Sequence, residues 1–133
     1  MAAVTRFAAI GECMIELSER PDGSFASAFG GDTLNTAVYA ARLGAGRGIA
    51  VDYLTALGDD PYSDAMLAFW QGEGVGTGLV ARRAGELPGL YIIRTTADGE
   101  RSFYYWRTAS AARGLLQGAV SYTHLTLPTI YSV

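Results

Sequence analysis

The segment GGDTLNTAVYAARLGAGRGIAVDYLTAL, at residues 30–57, predicts a helix followed by a buried strand. The apolar residues that recur at the spacing of one helix face are Leu34, Ala37, Val38 and Ala41. Asp32 or Thr33 can cap the start of this helix, and Gly44 can end it. The apolar run Ile49–Leu57 follows after a short loop. A helix joined to a buried strand in this way is typical of an α/β fold.

The residues on either side repeat this pattern. Arg6–Cys13 is a short apolar run of the kind found in buried strands. Met14–Phe29 predicts two short strands around a turn at Pro21–Ser24. Further along, Asp60 can cap a second helix, with Pro61 at the first helical position. We expect that helix to bury Tyr62, Met66, Phe69 and Trp70 on one face. The alternation of strands and helices predicts an open, largely parallel sheet.

A β-hairpin is predicted near the end of the chain. The runs Leu90–Thr96 and Arg101–Arg107 are rich in β-branched and aromatic residues. They are separated by the turn-forming residues Ala97–Glu100. The two strands should therefore pair in antiparallel fashion.

The length of the hairpin loop decides which side chains share a face. A two-residue turn at 98–99 would pair Tyr91 with Trp106. A three-residue loop at 97–99, with its glycine in the left-handed conformation, would pair Tyr91 with Tyr105. Only the second register puts Tyr91, Tyr105 and Arg107 on one face.

Two phenol groups and a guanidinium on one face suit a polyhydroxylated, anionic small molecule. Arg107 can grip a carboxylate through two hydrogen bonds, and Tyr91 and Tyr105 can donate to hydroxyls or carbonyls. The alternative is that the aromatic rings only pack the sheet and that Arg107 is solvated. The residues of the hairpin alone leave both interpretations open.

Composition excludes several classes of function. The 133 residues are 50% apolar and 17% charged, which indicates one globular domain. All ten basic residues are arginine, so no Walker-type phosphate loop or Schiff-base lysine is present. A single histidine, His124, and a single cysteine, Cys13, make a catalytic triad, a zinc site or a disulfide framework improbable. With a net charge of −3 and no apolar run long enough to span a bilayer, we expect a soluble cytoplasmic protein without nucleic-acid or membrane partners.

Five motifs together resemble the ribokinase-like (PfkB) family of carbohydrate kinases, and within it the kinases of 2-keto-3-deoxygluconate. The motifs are Gly11-Glu-Cys-Met-Ile-Glu-Leu-Ser18, Gly30-Gly-Asp-Thr-Leu-Asn-Thr-Ala-Val-Tyr39, Leu57-Gly-Asp-Asp-Pro-Tyr-Ser63, Pro88-Gly-Leu-Tyr91 and Gly99-Glu-Arg-Ser-Phe-Tyr-Tyr-Trp-Arg107. The resemblance extends over residues 5–117. It implies an α/β domain covered by a small β-sheet lid, with lid strands within residues 15–29 and 90–107.

The resemblance also implies a site. Gly30, Gly31, Asp32 and Asn35 match the family's sugar-binding segment at the start of the first helix. Tyr91, Tyr105 and Arg107 match lid residues that contact the sugar acid, with Arg107 as the partner of its carboxylate. A homodimer formed through the lid is implied as well.

The implied reaction is phosphoryl transfer from ATP, with Mg²⁺, to a sugar-acid hydroxyl. The family's catalytic aspartate lies in a Gly-Ala-Gly-Asp motif, which this sequence lacks. Gly44-Ala-Gly-Arg47 matches only its first three letters, and arginine cannot act as the base. We therefore expect residues 1–118 to be a truncated N-terminal part of such a kinase, inactive alone and without bound ATP or metal.

Residues 119–133 depart from the family and resemble a non-native tail. The alternative is an authentic edge strand, since Thr-Leu-Thr-Leu alternates before Pro128. Two other functions stay open for the chain as a whole. One is a PfkB kinase for another sugar, such as fructose, and the other is a non-catalytic module for sugar binding or dimerisation.

Overall fold

The computed structural model describes residues 4–117 and 130–131. Its strands, in chain order, are β1 (Thr5–Ile10), β2 (Met14–Glu19), β3 (Phe25–Gly30), β4 (Ile49–Leu54), β5 (Ala56–Leu57), β6 (Val75–Gly76), β7 (Ala81–Arg82), β8 (Leu90–Thr95), β9 (Arg101–Trp106) and β10 (Ile130–Tyr131). The helices are α1 (Asp32–Gly44) and α2 (Pro61–Gly72), followed by a short 3₁₀ helix at Ala111–Gly114.

The main sheet has the order β10-β1-β4-β6, and all its strands run parallel. This confirms the predicted parallel sheet. The first strand is shorter than predicted and ends at Ile10, because Gly11–Cys13 turns away to reach β2. The predicted strand Ile49–Leu57 divides in two. Its last two residues form β5, which leaves the main sheet and pairs with β7.

The second sheet has the order β3-β2-β8-β9 and is the predicted lid. Strand β2 pairs antiparallel with β3 and parallel with β8, and β8 pairs antiparallel with β9. The turn between β2 and β3 lies where Pro21–Ser24 predicts it. There the Ser24 N–H donates to the Asp22 carboxylate at 2.9 Å, and Gly23 has a left-handed φ of 85°.

The core lies between the main sheet and the two helices. Tyr53 of β4 and Trp70 of α2 are both fully buried and meet edge to face, with ring centroids 5.1 Å apart. The predicted face of α1 is confirmed, because Leu34, Ala37, Val38 and Ala41 are all buried. Burying this apolar surface is the main favourable contribution to folding.

The predicted buried face of α2 is half wrong. Met66 and Trp70 are buried, but Tyr62 is 59% and Phe69 is 42% exposed. Ser63 takes the inner position of the first turn instead, and its hydroxyl donates to the carboxylate of Asp60 at 2.6 Å. The buried position at the start of α2 is therefore occupied by Ser63, bonded to the capping Asp60, and not by an aromatic ring.

The starts of the two helices differ. Asp60 caps α2 as predicted, since it accepts from the N–H groups of Tyr62 and Ser63 at 3.1 Å. The prediction that Asp32 or Thr33 caps α1 is wrong: Gly31 holds the cap position, and none of the described side chains bonds there. Helical geometry already begins at Asp32, and the Thr33 hydroxyl lies 2.7 Å from the Tyr53 hydroxyl in the core.

The predicted non-native tail, residues 119–133, lies outside the described residues except for 130–131. Those two residues form β10 at the edge of the main sheet, parallel to β1. The origin of the tail stays a prediction.

Candidate functional site

A cavity of about 370 Å³ lies between the start of α1 and the inner face of the lid. The residues that line it are Glu12, Met14, Gly31, Asp32, Thr33, Asn35, Tyr91, Phe103, Tyr105 and Arg107. They come from the β1–β2 loop and the first residue of β2, from the start of α1, and from the hairpin β8–β9 with the residue that follows it. Six of the seven predicted site residues are therefore together, and Gly30 is the exception.

The hairpin register is the one that a three-residue loop predicts. Tyr91 pairs with Tyr105, and their ring centroids are 5.7 Å apart. The loop closes between Thr96 and Glu100, where the Thr96 N–H donates to the Glu100 carbonyl at 2.8 Å. Gly99 has a left-handed φ of 88°, as this loop requires. The two-residue turn is wrong.

Arg107 lies on the same side as the two tyrosines. Its guanidinium lies 5.9 Å from the centroid of the Tyr105 ring, and its Nη2 lies 2.8 Å from Oε1 of Glu12. Arg107 is therefore ion-paired, with 48% of its side chain exposed. The alternative that it is solvated and takes no part in binding stays a prediction. Among the described residues that line the cavity, Arg107 is the one cation, and Glu12 and Asp32 carry the carboxylates.

The Tyr91 side chain is held by a hydrogen bond to a residue outside the cavity lining. Its hydroxyl donates to Oε1 of Glu16, on the neighbouring strand β2. Burial raises the pKa of Tyr91 well above its usual range, and the bond to Glu16 adds to this rise. The Tyr91 proton is thus committed to Glu16, and its oxygen is left to accept from a ligand.

Gly30 serves this arrangement without lining the cavity. A Cβ at Gly30 would overlap the Tyr91 hydroxyl and lie 3.2 Å from the Glu16 carboxylate. The glycine therefore makes room for the Glu16–Tyr91 pair. Gly31 must be a glycine for a different reason, since a Cβ there would overlap the backbone carbonyl of Glu12.

The first turn of α1 offers polar groups to the cavity. The Asp32 carboxylate and the Asn35 amide have no hydrogen-bond partner among the residues that the structure describes. The backbone N–H groups of a first helical turn also lack partners within the helix and favour negative charge. Together they can bind both the hydroxyls and the carboxylate of a ligand.

Sequence reasoning missed Glu12, Met14, Thr33 and Phe103 as cavity residues. A signal for Glu12 was present, because it follows the carboxyl end of β1, where ligands of parallel sheets bind. Phe103 could have been found from the register, since it lies two residues from Tyr105 on the same face.

Within residues 4–117 and 130–131, no group of three or more His, Cys, Asp or Glu residues could hold a metal ion. No helix in those ranges is long and apolar enough to cross a membrane.

The chain is similar to known carbohydrate kinases. The sequence model of the pfkB family of carbohydrate kinases matches residues 4–121 of the chain. The chain is 54% identical over 110 residues to a 2-dehydro-3-deoxygluconokinase of Dickeya dadantii, and the match covers 83% of the chain and 35% of that relative. The chain thus spans about a third of the length of the curated relatives it matches.

Two solved structures have the same fold over most of the chain. The fructokinase of Xylella fastidiosa has a TM-score of 0.72 at 30% identity, covering 80% of this chain and 34% of its own. The 2-dehydro-3-deoxygluconokinase of Thermotoga maritima has a TM-score of 0.71 at 28% identity, covering 81% of this chain and 34% of its own.

Proposed function

Because the chain belongs to the pfkB family of carbohydrate kinases, we propose that it forms the sugar-binding part of an ATP-dependent kinase of 2-keto-3-deoxygluconate. The observation that carries the proposal is the convergence of Tyr91, Tyr105 and Arg107 on the cavity at the start of α1. An acidic sugar needs a cation for its carboxylate and several polar groups for its hydroxyls, and this cavity supplies both.

Each cavity residue has a role in this proposal. Arg107 binds the carboxylate, and Tyr105 donates to a hydroxyl or carbonyl. Asp32 and Asn35 bind hydroxyls from the side of α1. Tyr91, whose proton goes to Glu16, accepts a hydroxyl proton from the ligand. Gly30 supports Tyr91, and Gly31 lets the backbone of α1 approach the sugar.

The reaction transfers the terminal phosphoryl group of ATP to a hydroxyl oxygen of the sugar. The bond between that phosphorus and ADP breaks, a new phosphorus–oxygen bond forms, and a base takes the hydroxyl proton. The chain carries no Gly-Ala-Gly-Asp motif and spans about a third of its relatives. We assign the base, the ATP pocket and the Mg²⁺ ligands to a parent enzyme and not to this chain. We propose the cytoplasm as the location of the protein.

Fructose is the second candidate, and the similarity to a fructokinase structure at 30% identity favours it. Arg107 separates the two candidates. A neutral sugar offers no carboxylate to the guanidinium, so Arg107 would contribute little to its binding.

Titration calorimetry of the chain with 2-keto-3-deoxygluconate and with fructose tests the proposal. We expect Arg107→Ala to weaken binding of the acid by about tenfold or more, as loss of a charged hydrogen-bonding pair does. Arg94→Ala is the matched control, because Arg94 lies on β8, pairs with Glu19 at 3.2 Å and is outside the cavity. Binding of fructose in preference to the acid would refute the proposal.

A lid-mediated homodimer is part of the same proposal. Strand β9 is an edge strand whose residues are all exposed, and it carries Phe103 at 47% and Trp106 at 58% exposure. Exposed apolar edges of this kind are covered in stable proteins. Light scattering should show a defined dimer, and a monodisperse monomer would contradict this part of the proposal.

A further inference from the structure

The cavity contains an ion pair of its own. Nη2 of Arg107 lies 2.8 Å from Oε1 of Glu12, and only 11% of the Glu12 side chain is exposed. The cation proposed above for the ligand carboxylate is thus already in contact with a carboxylate of the protein.

Among the residues that the structure describes, the Glu12 carboxylate has one ion-pair partner, which is Arg107. The second oxygen of its carboxylate, Oε2, is buried and has no hydrogen-bond partner among those residues. That oxygen faces the backbone at Gly89, where an added Cβ would lie only 2.8 Å from it. A carboxylate with one contact and one buried, unpaired oxygen is poorly stabilised, because desolvation of each oxygen must be offset by a partner.

A ligand carboxylate at Arg107 would bring a further negative charge into this site. Glu12 and Asp32 both line the cavity, and Arg107 is the one cation among its described lining residues. A contact with the ligand draws Arg107 away from Glu12, whose buried carboxylate then loses its ion-pair partner. We infer that Glu12 is a specificity-determining residue that competes with the ligand's carboxylate for Arg107, an inference that rests on the proposed function.

This competition lowers the affinity for every acid, whereas a neutral sugar does not take Arg107 away from Glu12. A simple carboxylate gains only the contact with Arg107 and must leave Glu12 buried with a weakened partner. A polyhydroxylated acid also bonds to Asp32, Asn35 and Tyr105, and these bonds offset the loss. An acid that lacks hydroxyls forms none of these bonds, so it binds weakly.

The test compares the wild-type chain with Glu12→Gln, which keeps the shape of the side chain and removes its charge. The ligands are 2-keto-3-deoxygluconate, 2-oxohexanoate, which has the same carbon chain and keto acid group without the hydroxyls, and fructose. We expect the variant to bind 2-keto-3-deoxygluconate about twofold to fivefold more tightly, given the energies of partly exposed ion pairs. Binding of 2-oxohexanoate should rise by the same factor, while that of fructose stays unchanged.

Two variants show whether the effect passes through Arg107. Glu19→Gln, on strand β2 and outside the cavity, is the matched control and should change no affinity. In an Arg107→Gln background, Glu12→Gln should have no effect, whereas a direct repulsion between Glu12 and the ligand would persist there.

The outcomes separate the two claims. If the wild-type chain binds no sugar acid and Glu12→Gln does not either, the proposed function and this inference both fail. If the wild type binds 2-keto-3-deoxygluconate but Glu12→Gln binds it equally or more weakly, only this inference fails. Should Glu12→Gln not fold, the carbon signal of the Glu12 carboxyl in wild-type NMR spectra decides: it must shift with the acid and not with fructose, and an unmoved signal overturns the inference.

Discussion

Replacement of Gly31 by alanine should destabilise the chain through the backbone. A Cβ at Gly31 would overlap the carbonyl oxygen of Glu12 and lie 3.4 Å from Cα of Cys13. Both are backbone atoms, so no side-chain rotation can relieve the overlap. The residue that caps α1 and the loop that leads to the lid must then move apart.

The magnitude follows from the kind of contact. Inserting one carbon into a site with no free space costs about 1–3 kcal/mol when the surroundings must shift. Gly31 also has a φ of 158°, a value that L side chains rarely adopt, which adds about 1 kcal/mol. We expect Gly31→Ala to lower the free energy of unfolding by about 2–4 kcal/mol. With an m-value of about 2 kcal/mol/M in urea, the unfolding midpoint should fall by about 1–2 M.

Urea unfolding followed by circular dichroism measures this change. Gly78→Ala is the matched control, because none of the described atoms lies within 4 Å of a Cβ built there and its φ is not positive. That substitution should leave the midpoint unchanged or raise it slightly, since it restricts the unfolded chain. If the two variants unfold at the same urea concentration, the close approach of Gly31 to Glu12 is refuted.

Two further predictions concern the helix cap and the single thiol. Burial acts to raise the pKa of Asp60, but the hydrogen bonds from Ser63 and Tyr62 outweigh it, so the pKa is lowered. The stability that this cap contributes is therefore present above about pH 4 and is lost as the pH falls below that value. Asp60→Ala should cost about 1 kcal/mol in urea unfolding at pH 7 and less at pH 3, and an equal loss at both pH values would contradict the charge-based cap. Burial raises the pKa of Cys13 to about 12, so the thiol should react with a disulfide reagent at pH 8 only after unfolding. Rapid labelling of the folded chain would show that Cys13 is not buried.

The sequence was sufficient for the elements whose signals are local. The apolar spacing of Leu34, Ala37, Val38 and Ala41 predicted the buried face of α1, and Asp60 before Pro61 predicted the start of α2. The hairpin followed from its strand residues and its Ala97–Glu100 turn. Each of these depends on neighbours a few residues apart, and such preferences survive in most tertiary contexts.

Other predictions failed where a distant residue changed the outcome. Thr33 does not cap α1, because its hydroxyl bonds to Tyr53 on β4. Tyr62 is exposed since Ser63 and its bond to Asp60 fill the first turn of α2. Phe69, in the last turn, contacts Phe29 of β3 and is 42% exposed. Both errors came from reading one helix by itself, without the strand and loop against which it packs.

The sequence by itself determined the order of strands and helices, because this order follows from residue types and their spacing. Its resemblance to a known family supplied the family and the seven candidate residues. The tertiary structure alone decided how those residues meet. It chose the hairpin register that puts Tyr91 beside Tyr105, it placed Glu16 behind Tyr91, and it brought Glu12 to 2.8 Å from Arg107. No local pattern encodes the last contact, since it joins residues 95 positions apart (107 − 12 = 95) through the crossing of the β1–β2 loop and the end of β9. Charge interactions depend on distance in space and not along the chain, so the competition at Arg107 becomes visible only in the folded protein.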